Sequence, residues 1–192
     1  IGVGRELGRP VRALLTNMNQ PLGMYVGNTL EVIESIEALK GQGPTDLIDL
    51  SVALGAEMVV LAGLAEDVKQ AEGLLHAKLK DGSALEVFRT LVKMQGGDPR
   101  VVDDYGVLPH AEHTAEIRAT EDGFLGVMQT TDIGVAGVLL GGGRLTKDDV
   151  IDPGVGFHFH KRTGDPVSAG EPIVTIHYND EARCQAARER LI

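Results

Sequence analysis

Three carboxylates, Glu31, Glu34 and Glu37, recur every third residue just after the segment Pro-Leu-Gly-Met-Tyr (21–25). At that spacing they fall on adjacent turns of one helix. Main-chain carbonyls from a turn-rich loop, joined by one carboxylate, make an oxygen donor set of the kind that hard cations take. The same residues also describe a solvated acidic helix face, favoured near the helix N-terminus by the dipole, with Glu37 paired to Lys40 at i+3. In Phe157-His158-Phe159-His160 the alternation puts both histidines on one face of a strand and both phenylalanines on the other. Two imidazoles could begin a metal site, but no third ligand stands at usable spacing, and a polar face opposite an apolar one explains the pattern. Gly141-Gly142-Gly143-Arg144 follows a helical segment, whereas phosphate loops precede one, so it reads as a helix end and turn. Cys184 has Arg183 beside it but no base, which gives a structural or surface cysteine and not a nucleophile. No Ser-His-Asp order, HExxH, Walker loop or paired CxxC is present.

These residues need elements to hold them. Val11–Leu15 is an apolar run that reads as a strand, and residues 16–27 then form a longer connection to the next helix than the roughly two to six residues usual there. Leu30, Ile33, Ile36 and Leu39 give the apolar stripe of a helix with Asn28 at its N-cap. Further helices are expected from Thr45 as cap through the Leu54–Leu61 region, over 66–80, and from Ser83, which has Glu86 at capping-box spacing, to Gly96-Gly97. Past Leu108-Pro109 the pattern changes to short β-type runs (EIRAT, GFLGVMQ, VGFHFH, PIVTIHY) separated by glycine turns, with one helix entered at Thr130-Thr131-Asp132. The fold class is therefore mixed α/β, with a boundary near 108.

The chain has 192 residues, a net charge of −10 and one cysteine. Its negative field repels polyanions, which argues against nucleic acid and anionic membranes as partners. The lone cysteine, with no apolar run of spanning length, points to a reducing, cytoplasmic setting. The opening IGVGRELG reads as the end of a helix and the closing RERLI as the inside of another, so a longer parent chain is expected.

Two families enter on longer motifs. TGDPVSAGEPIVTI (163–176) resembles the hairpins of biotinyl and lipoyl carrier domains, so a non-catalytic carrier or binding module is the alternative reading. Neither Lys147, which precedes two aspartates, nor Lys161, which precedes Arg162, has the setting of a modified lysine. ALLTNMNQPLG, VGNTLEVIESIEALKGQGPTDL, QGGDPRVVDD and VIDPGVGFHFHKRTGDPVSAGEPIVTIH together resemble the C-terminal part of pyrimidine nucleoside and thymidine phosphorylases, from about Gly4 to Asn179. The resemblance implies later parts of the α/β lobe over 1–108 and a C-terminal α/β-hammerhead, barrel-sandwich-like domain over 109–192. It implies a salvage enzyme, a homodimer paired through an N-terminal helical lobe, that phosphorolyses uridine, deoxyuridine or thymidine. The family's Lys-x-Ser-x-Gly-Gly phosphate segment and its base-holding residues have no match here, so this polypeptide alone is expected to be inactive. The resemblance further assigns a potassium ion to the carbonyls of Leu22 and Tyr25 and the carboxylate of Glu34, with Tyr25 standing where the family often has Ala; because it also implies ligands from the phosphate segment, weak or empty occupancy is expected in this chain alone.

Overall fold

The computed structural model describes residues 1–192. A short helix α1 (Gly2–Glu6) is followed by irregular chain up to β1 (Tyr25–Val26). Four helices come next: α2 (Asn28–Leu39), α3 (Thr45–Leu61), α4 (Val68–Lys80) and α5 (Ser83–Met94), and then two 3-10 turns at Pro99–Val102 and Tyr105–Val107. The remaining chain is β2 (His113–Arg118), β3 (Gly123–Phe124), α6 (Thr130–Leu140), β4 (Gly156–Phe159), β5 (Pro166–Val167), β6 (Pro172–Tyr178) and α7 (Glu181–Leu191). The mixed α/β class read from the sequence is the one observed.

The helix ends differ from expectation by one residue, for identifiable reasons. Asn28, Thr45 and Ser83 are each the first helical residue, and the caps are Gly27, Pro44 and Gly82. At α2 the Glu31 side chain reaches back to accept the Gly27 N–H at 3.1 Å, the half of a capping box that needs no hydroxyl. At α5 the Asp81 carboxylate already accepts the Ser83 N–H at 2.8 Å, so Glu86 turns outward to Arg89 instead of completing the expected box. Asp67 caps α4 by accepting the Gln70 N–H at 2.8 Å.

Val11–Leu15 is not a strand. It has no strand partner, and Leu15 is fully exposed. A strand exists only as part of a ladder, and neither sheet runs beside this stretch. The GFLGVMQ run is a strand only at Gly123 and Phe124, which face Val167 and Pro166, and its backbone pairing ends at Leu125, bonded to Asp165 and Gly164.

The main sheet is antiparallel, in the order β1-β4-β6-β2. Its inner face carries Phe157, Phe159, Val174 and Ile176, packed against Ile133, Ala136 and Leu140 of α6 and Cys184 and Ala187 of α7. Cys184 is thus a core residue, and burial raises its thiol pKa. Gly141 ends α6 at a φ of 107°, in the left-handed region, confirming the glycine run as a helix terminus. A second, smaller core joins Ile36 of α2 to Val101 and Val102. Around it the helices are thinly covered: Met58 of α3 and Val87 and Met94 of α5 are 65%, 70% and 82% exposed. The chain exposes 11,941 Å² in all, whereas a self-contained monomer of this mass exposes about 8,800 Å².

Candidate functional site

The long connection closes on the second half of the chain. Tyr25 and Val26 pair with His158 and Phe157, which makes β1 an edge strand of the C-terminal sheet. The Phe159 N–H donates to the Met24 carbonyl at 2.7 Å. Hydrogen-bonded and open positions alternate in an antiparallel pair, so Tyr25 opposite His158 is open, and its N–H and C=O turn away from β4. That side is where α2 presents Glu34.

Glu34 is 4% exposed. Its carboxylate accepts the Met24 N–H at 2.6 Å and also the Tyr25 N–H. Burial raises its pKa; the two N–H groups and the Arg162 charge pull the other way but do not cancel the effect. No Lys or Arg forms an ion pair with it, so Glu34 is a buried carboxylate held only by neutral donors and a more distant charge. Gly23 lies directly over it. A Cβ there would fall 2.1 Å from Oε2, and the φ of 73° excludes most side chains independently. Leu22, next to Gly23, is 44% exposed, and its carbonyl receives no backbone hydrogen bond. Tyr25 and Glu34 therefore line one cavity, whereas Leu22 adjoins Glu34 only through Gly23 and lines a different one. The pairing of Tyr25 with Glu34 suits a cation, because an ion relieves the cost of burying the carboxylate.

The other two acidic residues have different duties. Glu31 caps α2, and Glu37 accepts from the Tyr105 hydroxyl and from Lys40 Nζ at 3.1 Å. These bonds hold the Glu37 carboxyl below its usual range, the Tyr105 bond contributing most.

Two residues that single-sequence reasoning did not pick out organise the loop. Arg162, just beyond β4, donates through Nη1 to the Pro21 carbonyl at 2.5 Å and through Nη2 to Asp46 Oδ2 at 2.6 Å. The same Asp46 oxygen accepts the Gly23 N–H at 3.2 Å. Asp46 sits in the first turn of α3, so the bond joins residues 116 positions apart. Both residue types were visible, but no local spacing links them. Tyr25, Glu34, Glu37, Asp46, His158 and Arg162 line one polar cavity of about 670 Å³.

The histidines lie on the outer sheet face, as the alternation required. His158 stacks on Tyr25 with ring centroids 4.3 Å apart and the planes at 17°. His160 Nε2 lies 2.8 Å from Thr175 Oγ1. Burial, aided by His160 and His177, depresses the His158 pKa to about 4. In the unfolded chain this ring titrates near 6.5, so between pH 6.5 and 4 the unfolded state binds the extra proton. Stability carried by His158 is present above that window and is lost as pH falls through it, by on the order of 2 kcal/mol after allowing for partial solvent screening. His158→Phe, which keeps a ring against Tyr25, is expected to flatten this part of the stability-pH profile in urea titrations at pH 4 to 7. An unchanged profile would contradict the assignment.

The carrier alternative gains nothing from the hairpin lysine. Lys161 Nζ is 2.6 Å from a Glu171 carboxylate oxygen and donates to the Pro166 carbonyl at 3.0 Å, so it is not presented for modification.

Comparison with known proteins matches both halves separately. Residues 2–85 fit the model of the glycosyl transferase family a/b domain, and residues 124–192 fit that of the pyrimidine nucleoside phosphorylase C-terminal domain. The pyrimidine-nucleoside phosphorylases of Staphylococcus aureus strains USA300 and NCTC 8325 are each 46% identical to this chain over 179 residues. Those alignments cover 93% of this chain and 41% of each relative, so the chain spans about two fifths of their length. No helix is long and apolar enough to cross a membrane.

Proposed function

Because the chain belongs to the pyrimidine nucleoside phosphorylase family, we propose that it forms the cation-loop and C-terminal portion of an enzyme that phosphorolyses uridine, deoxyuridine or thymidine. Phosphate replaces the base at the anomeric carbon, and (deoxy)ribose 1-phosphate and free base leave. The observation that carries this reading is the 46% identity sustained over 93% of the chain, through both cores and the junction between them. The excess exposed surface of α3 and α5 supports it, since those faces need a partner layer to bury them. On this reading the enzyme is a cytoplasmic homodimer paired through a helical lobe outside the present chain, and the two portions described here divide near residue 108.

The contribution of these residues is to position and not to react. Leu22 and Tyr25, through their carbonyls, and Glu34, through its carboxylate, would hold a monovalent cation such as potassium. When bound, that ion would supply a fixed positive charge bracing the loop against a phosphate-holding segment. The chain's own part is to keep Glu34 dry and oriented, through the Met24 and Tyr25 N–H groups, and to close one wall of the cavity with Tyr25 and His158. Phosphorolysis depends on such preorganisation, because phosphate must approach the anomeric carbon in line while water is kept out.

The test is a chimera in which this chain replaces the matching portion of the Staphylococcus aureus relative. Phosphate-dependent release of uracil or thymine is expected from the folded chimera and not from the 192-residue chain alone. A folded chimera without turnover would overturn the assigned function, and turnover by the isolated chain would overturn the division of labour.

A further inference from the structure

The loop from Gln20 to Tyr25 is tied almost residue by residue to the other half of the molecule. The Thr163 N–H donates to Gln20 Oε1 at 3.3 Å, and Arg162 Nη1 to the Pro21 carbonyl at 2.5 Å. Gly23 is held by Asp46, which is itself held by Arg162 Nη2 at 2.6 Å. Met24 accepts from Phe159, and Tyr25 pairs with His158 and stacks on its ring. Leu22 alone lacks such a tie, and both of its neighbours have one through the Arg162 guanidinium.

We infer that Arg162 is a positioning residue, by which the C-terminal half sets the shape of loop 20–25 and hence the placement of the Leu22 and Tyr25 carbonyls. Three features of the site favour Arg at 162 over another cation. A planar guanidinium can direct two N–H groups at once, here to a carbonyl and a carboxylate on different elements, whereas an ammonium is a point charge on a flexible stem. Its side chain is 18% exposed, so little water competes for these bonds. Asp46 takes up the guanidinium's charge, so that Arg162 can shape a loop meant for a cation without setting a second full positive charge against it. The Asp46 oxygen is shared with the Gly23 N–H, so displacing the guanidinium loosens Pro21 and Gly23 together.

For its consequence this inference rests on the cation reading above, and the experiment separates the two. Amide hydrogen exchange of the 192-residue chain and of Arg162→Gln is followed by mass spectrometry in potassium chloride and in choline chloride at equal ionic strength. Losing a charge-assisted bond of the size usual for such pairs is expected to speed exchange of peptides covering 20–26 by about tenfold or more, with peptides of α4 unchanged. If potassium protects the loop in the parent chain, Arg162→Gln is expected to raise the half-saturating potassium concentration by a similar factor. Arg162→Lys, which can restore one bond but not both, is expected to recover part of it.

If potassium has no effect on the parent chain while Arg162→Gln still loosens 20–26 selectively, the positioning role stands without an ion, and this chain by itself does not complete the cation site. Unchanged exchange of 20–26 in Arg162→Gln overturns the inference, whatever potassium does. Should that variant fail to fold, Asp46→Asn, which weakens the anchor while sparing the guanidinium bond to Pro21, is measured the same way. Selective loosening supports the inference, and parent-like exchange overturns it.

Discussion

Phe157→Ala is expected to destabilise the sheet half by about 4 kcal/mol, the cost of emptying a fully buried aromatic site that cannot collapse around an alanine. The site is closed on every side. Phe157 faces Ile176 across β4 and β6, sets its ring edge-on to Phe159 at 6.4 Å, and meets α6 at Gly137. Since Ile36, Val101 and Val102 form a separate core, the loss should not spread evenly. The chain has no tryptophan, and its three tyrosines report both regions: Tyr25 and Tyr178 on the sheet, Tyr105 beside the helical core. Urea unfolding followed by tyrosine fluorescence and by helical circular dichroism should therefore split into two transitions in the variant, with the sheet transition moved to lower urea. A single transition with the parent midpoint would show that Phe157 does not hold the sheet together.

Gly156→Ala is expected to cost about 3 kcal/mol and to lift β1 off β4, although it adds only one methyl group. Glycine at 156 lets two backbones approach more closely than any side chain allows. A Cβ there would lie 2.3 Å from the Val26 carbonyl oxygen, 2.9 Å from Leu30 Cδ1 and 3.0 Å from the Gly27 Cα. Leu30 could rotate away, but the two backbone contacts can be relieved only by moving the strand. Loop 20–25 moves with that strand, so Gly156→Ala should also speed amide exchange at Met24 and Tyr25. The matched control is Gly134→Ala in α6, where a Cβ meets nothing within 4 Å and the helix gains propensity. That change is expected to be neutral or to stabilise by up to about 1 kcal/mol. Parent-like stability of Gly156→Ala would mean that β1 is not seated as described.

What the sequence disclosed and what it withheld divide along sequence distance. The stripe Leu30-Ile33-Ile36-Leu39, the Gly141 terminus and the alternation at 157–160 were legible because each is a local pattern with a local cause. The caps were misplaced by one residue because glycine and proline took positions that side-chain preference gives to Asn, Thr and Ser. Val11–Leu15 has strand composition but no ladder beside it, and composition cannot say whether a partner is present. At the candidate site, Glu34 and the loop carbonyls could be proposed from local spacing and a resemblance. The bonds from Arg162 to Pro21 and Asp46 could not, because their partners come together only when the two halves meet.

The pairing of Tyr25 with His158 also fixes an order of events. It closes a loop of roughly 130 residues, and contacts that distant in sequence are formed late, after nearby helices and hairpins have cut the entropy of closure. The β4–β6 hairpin and the α3–α4 pair are local and can form first. Until β1 arrives, β4 is an open edge with Phe157 and Phe159 behind it, a template on which another chain could pair. The seating of two residues, Tyr25 and Val26, thus both closes one wall of the polar cavity and covers an edge of β4 that would otherwise be open.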